Sequence, residues 1–419
     1  MKKVNVIGAG LAGSECALYL ANKGISVDLY EMKPNKFSPA HHNPNFAELV
    51  CSNSLKSDTL QFATGVLKAE LRELGSALLQ CADQSALPST SALTVDREKF
   101  SQLVTDKIKD NPLINIITGE VVQFDLTQPT VVCAGPLCSD ALSDFLANLI
   151  GEKLYFYDAV SPIVASDSVD FSLAYPADEG YINCPLNKQE YEQFCVALSQ
   201  ADRVELHDFE KEINFESCLP IEIMAKRGMD VMRCGPMKPG LLDKDAYAVV
   251  QLRKENLEGT MLNLVGFQTN LTFEAQRKVF TLIPALKNAE WLRYGVMHRN
   301  TYINAPKYLN KYFQLKTNPN IFFAGQISGV EGYIESVASG LLCAINVIKY
   351  INNQQLVDFG TECCLGALQN YLLCGNINNF QPMHINWGLL KPIDAPKKDK
   401  KRLLAERALA QIAKIKENL

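Results

Sequence analysis

Residues 1–31, MKKVNVIGAGLAGSECALYLANKGISVDLYE, decide the fold of this chain. A short apolar strand at 4–7 leads directly into Gly-x-Gly-x-x-Gly, and the pattern then predicts a helix over 14–23 and a second strand over 25–30. Glu31 follows that strand, 18 residues after Gly13. Strand, glycine-rich turn, helix, strand and acid in this order are typical of a βαβ unit that binds a dinucleotide. The alternative is a βαβ unit with an empty phosphate site.

Each glycine of this motif has a separate task. Gly8 allows the tight turn, Gly10 lets the backbone approach a pyrophosphate, and Gly13 lets the helix pack closely on the strand. The helix N-terminus then faces the phosphates, and Glu31 is placed to accept a hydrogen bond from a ribose hydroxyl. We predict a cofactor site formed by Gly8, Ala9, Gly10, Leu11, Ala12, Gly13 and Glu31.

Two later segments indicate which dinucleotide is bound. Residues 320–326, NIFFAGQ, predict a strand that ends in a small-residue turn, and GVEGY at 329–333 leads into a helix over 334–340. This arrangement resembles the late FAD-binding segment of two-dinucleotide-binding flavoproteins, and residues 129–136, PTVVCAGP, resemble the end of the first half of such a domain. The alternative is ordinary buried strands with glycine turns. We predict FAD as the tightly bound cofactor, with further contacts from Gly325, Gly329, Glu331 and Gly332.

The composition of the chain limits which classes of protein it can belong to. The chain has 419 residues, of which 47% are hydrophobic and 21% charged, as in globular proteins of two to three domains. No apolar run of about 18 residues is evident, and a strand begins within four residues of the N-terminus, so we expect neither a membrane span nor a signal peptide, and a cytoplasmic protein. Thirteen scattered cysteines and five histidines predict no metal site, and mostly buried, reduced thiols.

The net charge of −5 argues against wholesale coating of nucleic acid but leaves room for a local basic face. Residues 391–416 carry nine lysines and arginines against three acids. Such a run is commonly a solvated helix face.

The order of predicted elements indicates an α/β fold, with a Rossmann-like FAD-binding domain of the two-dinucleotide-binding flavoprotein type and an inserted α+β domain. The first part of the FAD-binding domain is expected at 1–155, with strands at 115–117, 120–124 and 130–134. The inserted domain is expected at 156–300, with a helix at 188–200 and strands at 246–253 and 259–268. The second part of the FAD-binding domain is expected at 301–355, and a helical basic tail at 356–419.

Two cysteines are candidates for chemistry. Cys51 precedes a Ser-Asn-Ser turn that can open a helix, where a thiol pKa is lowered. Cys218 lies before a run of cationic residues that favours a thiolate and attracts phosphate. For each, the alternative is a small thiol packed in a turn or loop. We count Lys226, Arg227, Lys238, His298 and Arg299 as candidate contacts for substrate or RNA, although His298 is equally consistent with a structural histidine.

A series of segments of the chain, taken together, matches the sequence pattern of one protein family. They are GAGLAGSE, YEMKP, HHNPNFAELVCSNSLKS, FESCLPIEIMAKRG, GPMKP, YAVVQLR, LVGFQTNL, RYGVMHRNTYIN, FFAGQISGVEGYIESVASGL and NFQPMHINWGLLK. They run in order over nearly the whole chain. The chain resembles the FAD- and folate-dependent uracil-5-methyltransferases, the short relatives of the GidA tRNA-modifying flavoproteins.

The resemblance implies a reaction. The family binds FAD, takes a one-carbon unit from methylenetetrahydrofolate and forms 5-methyluridine in RNA, with NAD(P)H reducing the flavin. The functional cysteines of the family fall at Cys51 and Cys218. Cys218 would add to C6 of the target uracil so that C5 becomes nucleophilic, and Cys51 would help to remove the C5 proton. The target base must leave its stack to react.

This chain also departs from the family pattern. Residues 89–97, STSALTVDR, replace a glycine-rich stretch, GPMKPGLL replaces GPMKPVGL, and Asn270 replaces the usual histidine. These changes bear on the RNA partner, which we expect to be the T-loop uridine of tRNA, with a 23S rRNA uridine as the alternative. A non-catalytic flavin-binding RNA-interaction protein and a small-molecule flavin oxidoreductase are the other hypotheses. No stable protein partner is predicted.

Overall fold

The computed structural model describes residues 2–38, 40–50, 52–152, 154, 156–177, 180–204, 219–239, 246–254, 259, 261–374, 377, 380 and 382–419. The strands in chain order are β1 Lys3–Ile7, β2 Ser26–Glu31, β3 Ser54–Ser57, β4 Ala92–Thr94, β5 Ile114–Thr118, β6 Thr130–Val132, β7 Phe156–Val160, β8 Ile163–Ala165, β9 Tyr175–Pro176, β10 Tyr181–Leu186, β11 Ala248–Lys254, β12 Met261–Leu264, β13 Trp291–Arg293, β14 Val296–Asn300, β15 Gln314–Leu315 and β16 Asn318–Phe323.

The helices in chain order are α1 Leu11–Asn22, α2 Ala63–Glu73, α3 Ala77–Gln84, α4 Arg97–Lys109, α5 Asp140–Ile150, α6 Lys188–Gln200, α7 Ile221–Arg227, α8 Met229–Arg233, α9 Phe273–Phe280, α10 Ala305–Tyr308, α11 Tyr333–Ile351, α12 Cys364–Cys374 and α13 Lys397–Lys416. The predicted helix at 188–200 is therefore confirmed. The basic run of the tail forms α13, and its exposed face is separated from the apolar face that includes Leu404, Ala408 and Ile412.

A first six-stranded sheet has the order β15-β16-β6-β1-β2-β5. All neighbours are parallel except β15 and β16, which are antiparallel. Helices α1 and α11 pack against one another beside this sheet. Gly340 makes the close approach possible, because a Cβ there would lie 2.3 Å from the carbonyl oxygen of Ala12. This α/β fold with a mostly parallel sheet confirms the predicted fold class.

A second sheet has the order β13-β8-β12-β11-β10-β9 and is antiparallel. Its strands come from residues 163–293, and helices α6, α7 and α9 share a separate apolar core with it. A two-stranded ribbon of β7 and β14 occupies the chain segments that lead into and out of this region. The mixed elements are those expected of an inserted α+β region, while its exact boundaries remain a prediction.

Two predictions of secondary structure are wrong. Residues 120–124 form no strand: after β5 the chain turns at Gly119, with φ +154°, and crosses the edge of the sheet as an irregular segment. No helix opens after Cys51 either. Residues 54–57 pair with β4 as strand β3, and the next helix begins only at Ala63. In both places a tertiary contact overrides the local propensity.

Helix α11 is long and apolar enough to cross a membrane by length and composition, contrary to the expectation that no such run exists. Of the apolar window, 78% is buried inside the protein. The helix packs on α1 and β16, which is the position of a core helix.

Candidate functional site

A cleft opens at the carboxyl ends of the parallel strands of the first sheet. Residues that directly follow β1, β2, β5, β6 and β16 line it, as expected for the ligand crevice of an open parallel sheet. Its empty space is about 1170 Å³, a volume that includes the part open to solvent. The position of the cleft at the strand ends, and not its volume, marks it as the candidate dinucleotide site.

The glycine turn between β1 and α1 forms one wall of the cleft. Gly8 has φ +98°, and a Cβ there would lie 2.6 Å from the carbonyl oxygen of Cys133. A Cβ at Gly13 would lie 1.8 Å from the carbonyl oxygen of Gly8. At Gly10, in contrast, a Cβ would meet no protein atom within 4 Å. Packing explains two of the glycines, while Gly10 is bare toward the cleft, as a close approach of a pyrophosphate requires.

The N-terminus of α1 is receptive to an anion. Gly10 is the N-cap and provides no side-chain cap, and the first turn holds no acidic residue. The backbone N–H groups of such a turn and the helix dipole both favour phosphate. Gly8, Ala9, Gly10, Leu11 and Ala12 all line the cleft, whereas Gly13 lies behind the turn.

Glu31 holds the glycine turn in place. Its buried carboxylate accepts from the N–H of Ala9 at 2.8 Å and from the N–H of Lys33 at 3.0 Å. A carboxylate has about four acceptor positions, so two remain for another donor. Glu31 lines the cleft and is therefore placed both to brace the turn and to accept from a ribose hydroxyl.

The late segment contributes to the cleft unevenly. Gly325, with φ +79°, lines it and packs against Ala12, and Tyr333 and Ser336 line it as well. The other three predicted contacts lie outside its lining. A Cβ at Gly329 would collide with Phe380 at 2.5 Å, Glu331 lies near His384, and Gly332 lies beside the carboxylate of Glu335. In this segment Gly329 makes room for Phe380, and Gly332 makes room for Glu335.

Cys51 lies outside the described residues, but both of its neighbours contact the cleft region. Val50 lines the cleft, and the N–H of Ser52 donates to the hydroxyl of Tyr333 at 3.1 Å. Arg253 donates to the hydroxyl of Ser52, and the side chain of Asn53 donates to the carbonyl oxygen of Lys254 at 3.1 Å. Residues 52–53 are thus tied to α11 on one side and to the end of β11 on the other.

A buried lysine, not anticipated from the sequence, secures strand β3. Lys68 donates to the carbonyl oxygens of Leu55, Ser57 and Thr64 at 2.8, 2.6 and 3.2 Å. Burial lowers the pKa of its ammonium to about 8. A lysine on a helix with three carbonyl partners gives no local sequence signal, because its partners are brought together only by the fold.

Cys218 also lies outside the described residues, and the two ends of its segment are anchored to one loop. The N–H of Val204 donates to the carbonyl oxygen of Asn270, and the N–H of Ile221 donates to that of Gln268, each at 2.8 Å. The fully buried Glu222 accepts from the N–H of Asn270 at 2.9 Å and from the hydroxyl of Thr269 at 2.8 Å. The described residues on both sides of 205–218 are therefore hydrogen-bonded to the loop 268–272.

The candidate substrate contacts are in two places. Lys226, Arg227 and Lys238 are exposed, the first two in the last turn of α7 and the third after α8. His298 and Arg299 lie on β14 and pair with Asp158 and Tyr157 of β7 in the ribbon. The positions of their side chains are outside the described part of the structure.

The remaining thiols fit the expectation of buried, unreactive cysteines. Of the eleven cysteines in the described residues, eight are buried. Burial raises the pKa of the thiols of Cys16, Cys133 and Cys343 well above the ordinary value. No group of three or more histidine, cysteine or acidic residues suited to a metal occurs among the described residues.

Comparison with known proteins places the chain in a family. A model of the family described as "Glucose inhibited division protein A" matches residues 3–355. A protein of Acetivibrio thermocellus named methylenetetrahydrofolate–tRNA-(uracil-5-)-methyltransferase TrmFO is 50% identical over 99% of this chain and 98% of its own length. A protein of Listeria monocytogenes with the same name is 48% identical over the full length of both chains.

Solved structures agree on the fold. GidA of Aquifex aeolicus in its form I crystal has a TM-score of 0.75 and 17% identity, covering 99% of this chain and 75% of that one. The form II crystal gives a TM-score of 0.73 at 16% identity. The sequence identity to full-length relatives and the shared fold lead to one conclusion: the chain belongs to the family of methylenetetrahydrofolate–tRNA-(uracil-5-)-methyltransferases, within the wider GidA family.

Proposed function

We propose that this chain is an FAD-dependent methyltransferase that forms 5-methyluridine in RNA with methylenetetrahydrofolate as the carbon donor. One observation carries the proposal beyond family membership: the residues on both sides of Cys51 contact the cofactor cleft. Val50 lines that cleft, and Ser52 is bound by Tyr333, which lines it too. A functional cysteine next to a dinucleotide cleft is what a methyl transfer that combines redox chemistry with a thiol needs.

The residues that line the cleft fit FAD. Gly8 to Ala12 would hold the pyrophosphate, Glu31 a ribose hydroxyl, and Gly325 the neighbourhood of the flavin. Lys33 helps to cover this cleft, because its buried ammonium donates to the carbonyl oxygens of Asn43 and Asn45. When bound and reduced by NAD(P)H, FAD supplies the hydride that turns a transferred methylene group into a methyl group.

The protein must make C5 of uracil nucleophilic. The thiolate of Cys218 would attack C6, forming a C–S bond and moving the electron pair of the C5–C6 double bond into an enolate that makes C5 nucleophilic. After carbon transfer, loss of the C5 proton and reduction, the C–S bond breaks and the thiolate returns. The exposed ammonium and guanidinium groups of Lys226 and Arg227 favour the anionic form of a nearby thiol.

Cys51 would accept the C5 proton or relay it. Such a base must stay at a fixed distance from the reacting ring. The bonds from Ser52 to Tyr333 and Arg253 hold the adjacent backbone on two different elements. This arrangement supports a role for Cys51 in proton transfer.

We infer that the RNA is tRNA, at the T-loop uridine, and that the reaction takes place in the cytoplasm without a stable protein partner or a membrane. The relatives are named as tRNA methyltransferases. Exposed lysines and arginines occur on α13, and Lys226, Arg227 and Lys238 are exposed on and after α7, so this acidic protein presents basic side chains in these two places. His298 and Arg299 are further candidates for contact with folate or RNA.

The test supplies the purified protein with NADPH, methylene-labelled tetrahydrofolate, unmodified tRNA and 23S rRNA. We expect label in tRNA at a uridine of the T-loop. Label in rRNA alone would move the proposal to the ribosomal substrate. A protein that holds FAD and labels neither RNA would contradict the function and favour a non-catalytic RNA-interaction protein or a small-molecule oxidoreductase.

Cys218→Ala sharpens this assay. The variant should keep its FAD and lose methyl transfer by at least about 1,000-fold, since removal of a nucleophile has effects of this size or larger. Cys234→Ala is the matched control, because Cys234 is an exposed cysteine of the same region. Appreciable turnover by Cys218→Ala would remove Cys218 as the nucleophile.

A further inference from the structure

Three aromatic rings form a near-parallel stack at one edge of the second sheet. Phe273, the first residue of α9, lies 5.0 Å from Tyr294 between ring centroids at an interplanar angle of 16°. Tyr294 lies 6.2 Å from Trp291 at 15°. Trp291 in turn contacts Phe280 at 5.7 Å, and Phe280 is fully buried in the core. The stack therefore runs from the core to the surface.

The outermost ring is exposed. Phe273 has 57% of its surface accessible to solvent, so burial of an apolar side chain does not account for a phenylalanine at this position. Offset, near-parallel packing at these centroid distances is one of the arrangements that aromatic pairs favour. A series of such rings that ends in an exposed ring can be extended by a further flat ring.

The stack is also held rigidly. The side-chain amide of Gln276 donates to the carbonyl oxygen of Gly295 at 2.8 Å, and the N–H of Gly295 donates to its oxygen at 2.8 Å. These two hydrogen bonds link α9 to the turn that carries Tyr294. Thr272 caps α9 through the N–H of Ala275 at 3.2 Å. Both outer rings are therefore fixed in register before any ligand binds, which reduces the entropic cost of binding.

The stack lies beside the anchor of the Cys218 segment. Val204 and Ile221, on the two sides of 205–218, are hydrogen-bonded to the loop 268–272, and Phe273 follows that loop as the first residue of α9. The N–H of Thr272 itself donates to the carbonyl oxygen of Asp202 at 3.0 Å. Phe273 therefore follows a loop that holds the described residues flanking the Cys218 segment.

We propose that Phe273, Tyr294 and Trp291 form an aromatic platform on which an unpaired base of the substrate RNA stacks. This inference rests on the proposed function, since it requires an RNA substrate. Proteins recognise splayed bases by stacking them on aromatic side chains, and the target uridine must leave its own stack before Cys218 can reach C6. A base displaced from the RNA needs a flat surface on which to stack, and the platform provides one.

Charge around the platform agrees with an RNA occupant. Arg277 and Lys278 are exposed on the last turn of α9, one to two turns from Phe273. Lys278 pairs with Glu274 at 2.7 Å, while the guanidinium of Arg277 extends the basic side of the helix. An aromatic ring flanked by cationic side chains is the combination that binds single-stranded nucleic acid.

The experiment compares Phe273→Ala and Phe273→Trp with the unaltered protein, and uses Phe171→Ala as the control. Phe171 is 48% exposed and belongs to the same region of the chain. The dissociation constant for an unmodified tRNA transcript is measured by filter binding over a range of salt concentrations. We expect Phe273→Ala to weaken binding by about 5- to 150-fold, while Phe273→Trp and Phe171→Ala remain within about threefold of the unaltered protein.

Two further readouts separate stacking from other effects. The slope of log affinity against log salt should not change in Phe273→Ala, because stacking removes no ion pair. Fluorescence of 2-aminopurine next to the target uridine should be quenched by the unaltered protein and by Phe273→Trp, but not by Phe273→Ala. FAD content and NADPH oxidation should be equal in all four proteins, since Phe273 is remote from the folding core.

Several results would overturn the platform. Affinity of Phe273→Ala within twofold of the unaltered protein would do so, as would a changed salt slope. A change in oligomeric state with unchanged RNA affinity would identify the ring as a contact between protein chains instead. If the unaltered protein bound no RNA, the platform and the proposed function would fail together, whereas failure of the Phe273 variants alone would leave the proposed function intact.

Discussion

The cofactor cleft and the anchor of the Cys218 segment are built in different ways. The cleft is formed by backbone: strand ends, a glycine turn and the N-terminus of α1 make its walls, and one carboxylate, Glu31, braces the turn. The anchor combines backbone hydrogen bonds with a buried side-chain pair. Val204 and Ile221 donate through their N–H groups to the loop 268–272, and the carboxylate of Glu222 accepts from the hydroxyl of Thr269, 47 positions away in the sequence.

The difference shows how each kind of site depends on the amino-acid sequence. A site made of backbone depends on glycines, because a Cβ at these positions would collide with neighbouring atoms. A site made of side chains depends on partners distant in the sequence, so substitution of one residue leaves a buried polar group without its bond. The two regions should therefore respond differently to substitution, and the following experiments test that expectation.

Gly13→Ala should have the largest effect on the cleft. The added methyl would lie 1.8 Å from the carbonyl oxygen of Gly8, so the turn must open. We expect loss of FAD and a fall in the unfolding free energy of the apoprotein of about 2 kcal/mol or more, as for overpacking of a rigid site. Flavin absorbance of the purified protein and urea denaturation of the apoprotein measure the two effects.

Gly10→Ala is the matched control for that experiment. A methyl there meets no protein atom within 4 Å, so the apoprotein should be as stable as the unaltered one. FAD affinity alone should fall, and Gly10→Val should lower it further. If Gly10→Val bound FAD with full occupancy, the assignment of this turn to the pyrophosphate would be wrong, and the comparison of the two regions would lose its first half.

Tyr333→Phe tests a side-chain hydrogen bond that holds the residue next to Cys51 beside the cleft. The hydroxyl of Tyr333 accepts from the N–H next to Cys51, while its ring lines the cleft. Loss of the hydroxyl removes the hydrogen bond that holds residue 52. We expect kcat for methyl transfer to fall about tenfold, which corresponds to the free energy of one hydrogen bond to a positioned group. KM for RNA and the FAD content should not change.

Tyr350→Phe controls for loss of a hydroxyl from the same helix. The hydroxyl of Tyr350 donates to the side chain of Asn320 at 2.8 Å. Asn320 lies near the start of β16, whereas the cleft lies beyond the end of that strand. A direct readout is the pH dependence of alkylation of the Cys51 thiol, followed by mass spectrometry. If Tyr333→Phe and Tyr350→Phe showed the same kcat and the same alkylation profile, Tyr333 would have no role in positioning the region of Cys51.

Sequence reasoning succeeded where the physical signal is local. The strand, turn and helix at 4–23, the strand at 320–323 and the capped helix after Asn187 each follow from residues within one or two turns of each other. It failed at 120–124, where residues that favour strands form an irregular segment. It also failed after Cys51, where pairing of β3 with β4 replaces the helix that the Ser-Asn-Ser turn could open.

The candidate site divides in the same way. The glycines and Glu31 could be proposed from spacing, and the cleft lies where they are. Tyr333, Arg253 and Lys68 had no such signal, because each contacts a segment that only the fold brings near. At Gly329 and Gly332, the resemblance to the late FAD-binding segment of flavoproteins suggested cofactor contacts. A Cβ at these positions would meet Phe380 and Glu335, and the cofactor contacts remain predictions. The roles of Cys51 and Cys218 remain predictions.

Buried carboxylates extend the comparison from the site to the core, where the smallest effect on cofactor binding and catalysis is expected. Glu70 of α2 is fully buried and accepts from the N–H groups of Cys364 and Leu365 at 2.7 and 2.8 Å, so it replaces a cap at the start of α12. Burial outweighs these bonds and raises its pKa to about 8. A carboxyl whose pKa is higher in the folded protein stabilises it fully below the unfolded pKa of about 4.5, and this contribution is lost as the pH rises through about 8.

Between pH 5 and pH 8.5 the unaltered protein should therefore lose stability, with Glu70 contributing on the order of 3 kcal/mol. Glu70→Gln removes the titration. Its amide cannot accept from both N–H groups, so the variant should be less stable at pH 5, but its unfolding free energy should change less with pH. Glu73→Gln, on the exposed side of the same helix, should keep the original slope. Equal slopes in Glu70→Gln and in the unaltered protein, measured by urea denaturation at each pH, would mean that Glu70 remains ionised when buried, and that two backbone N–H groups suffice to stabilise its charge.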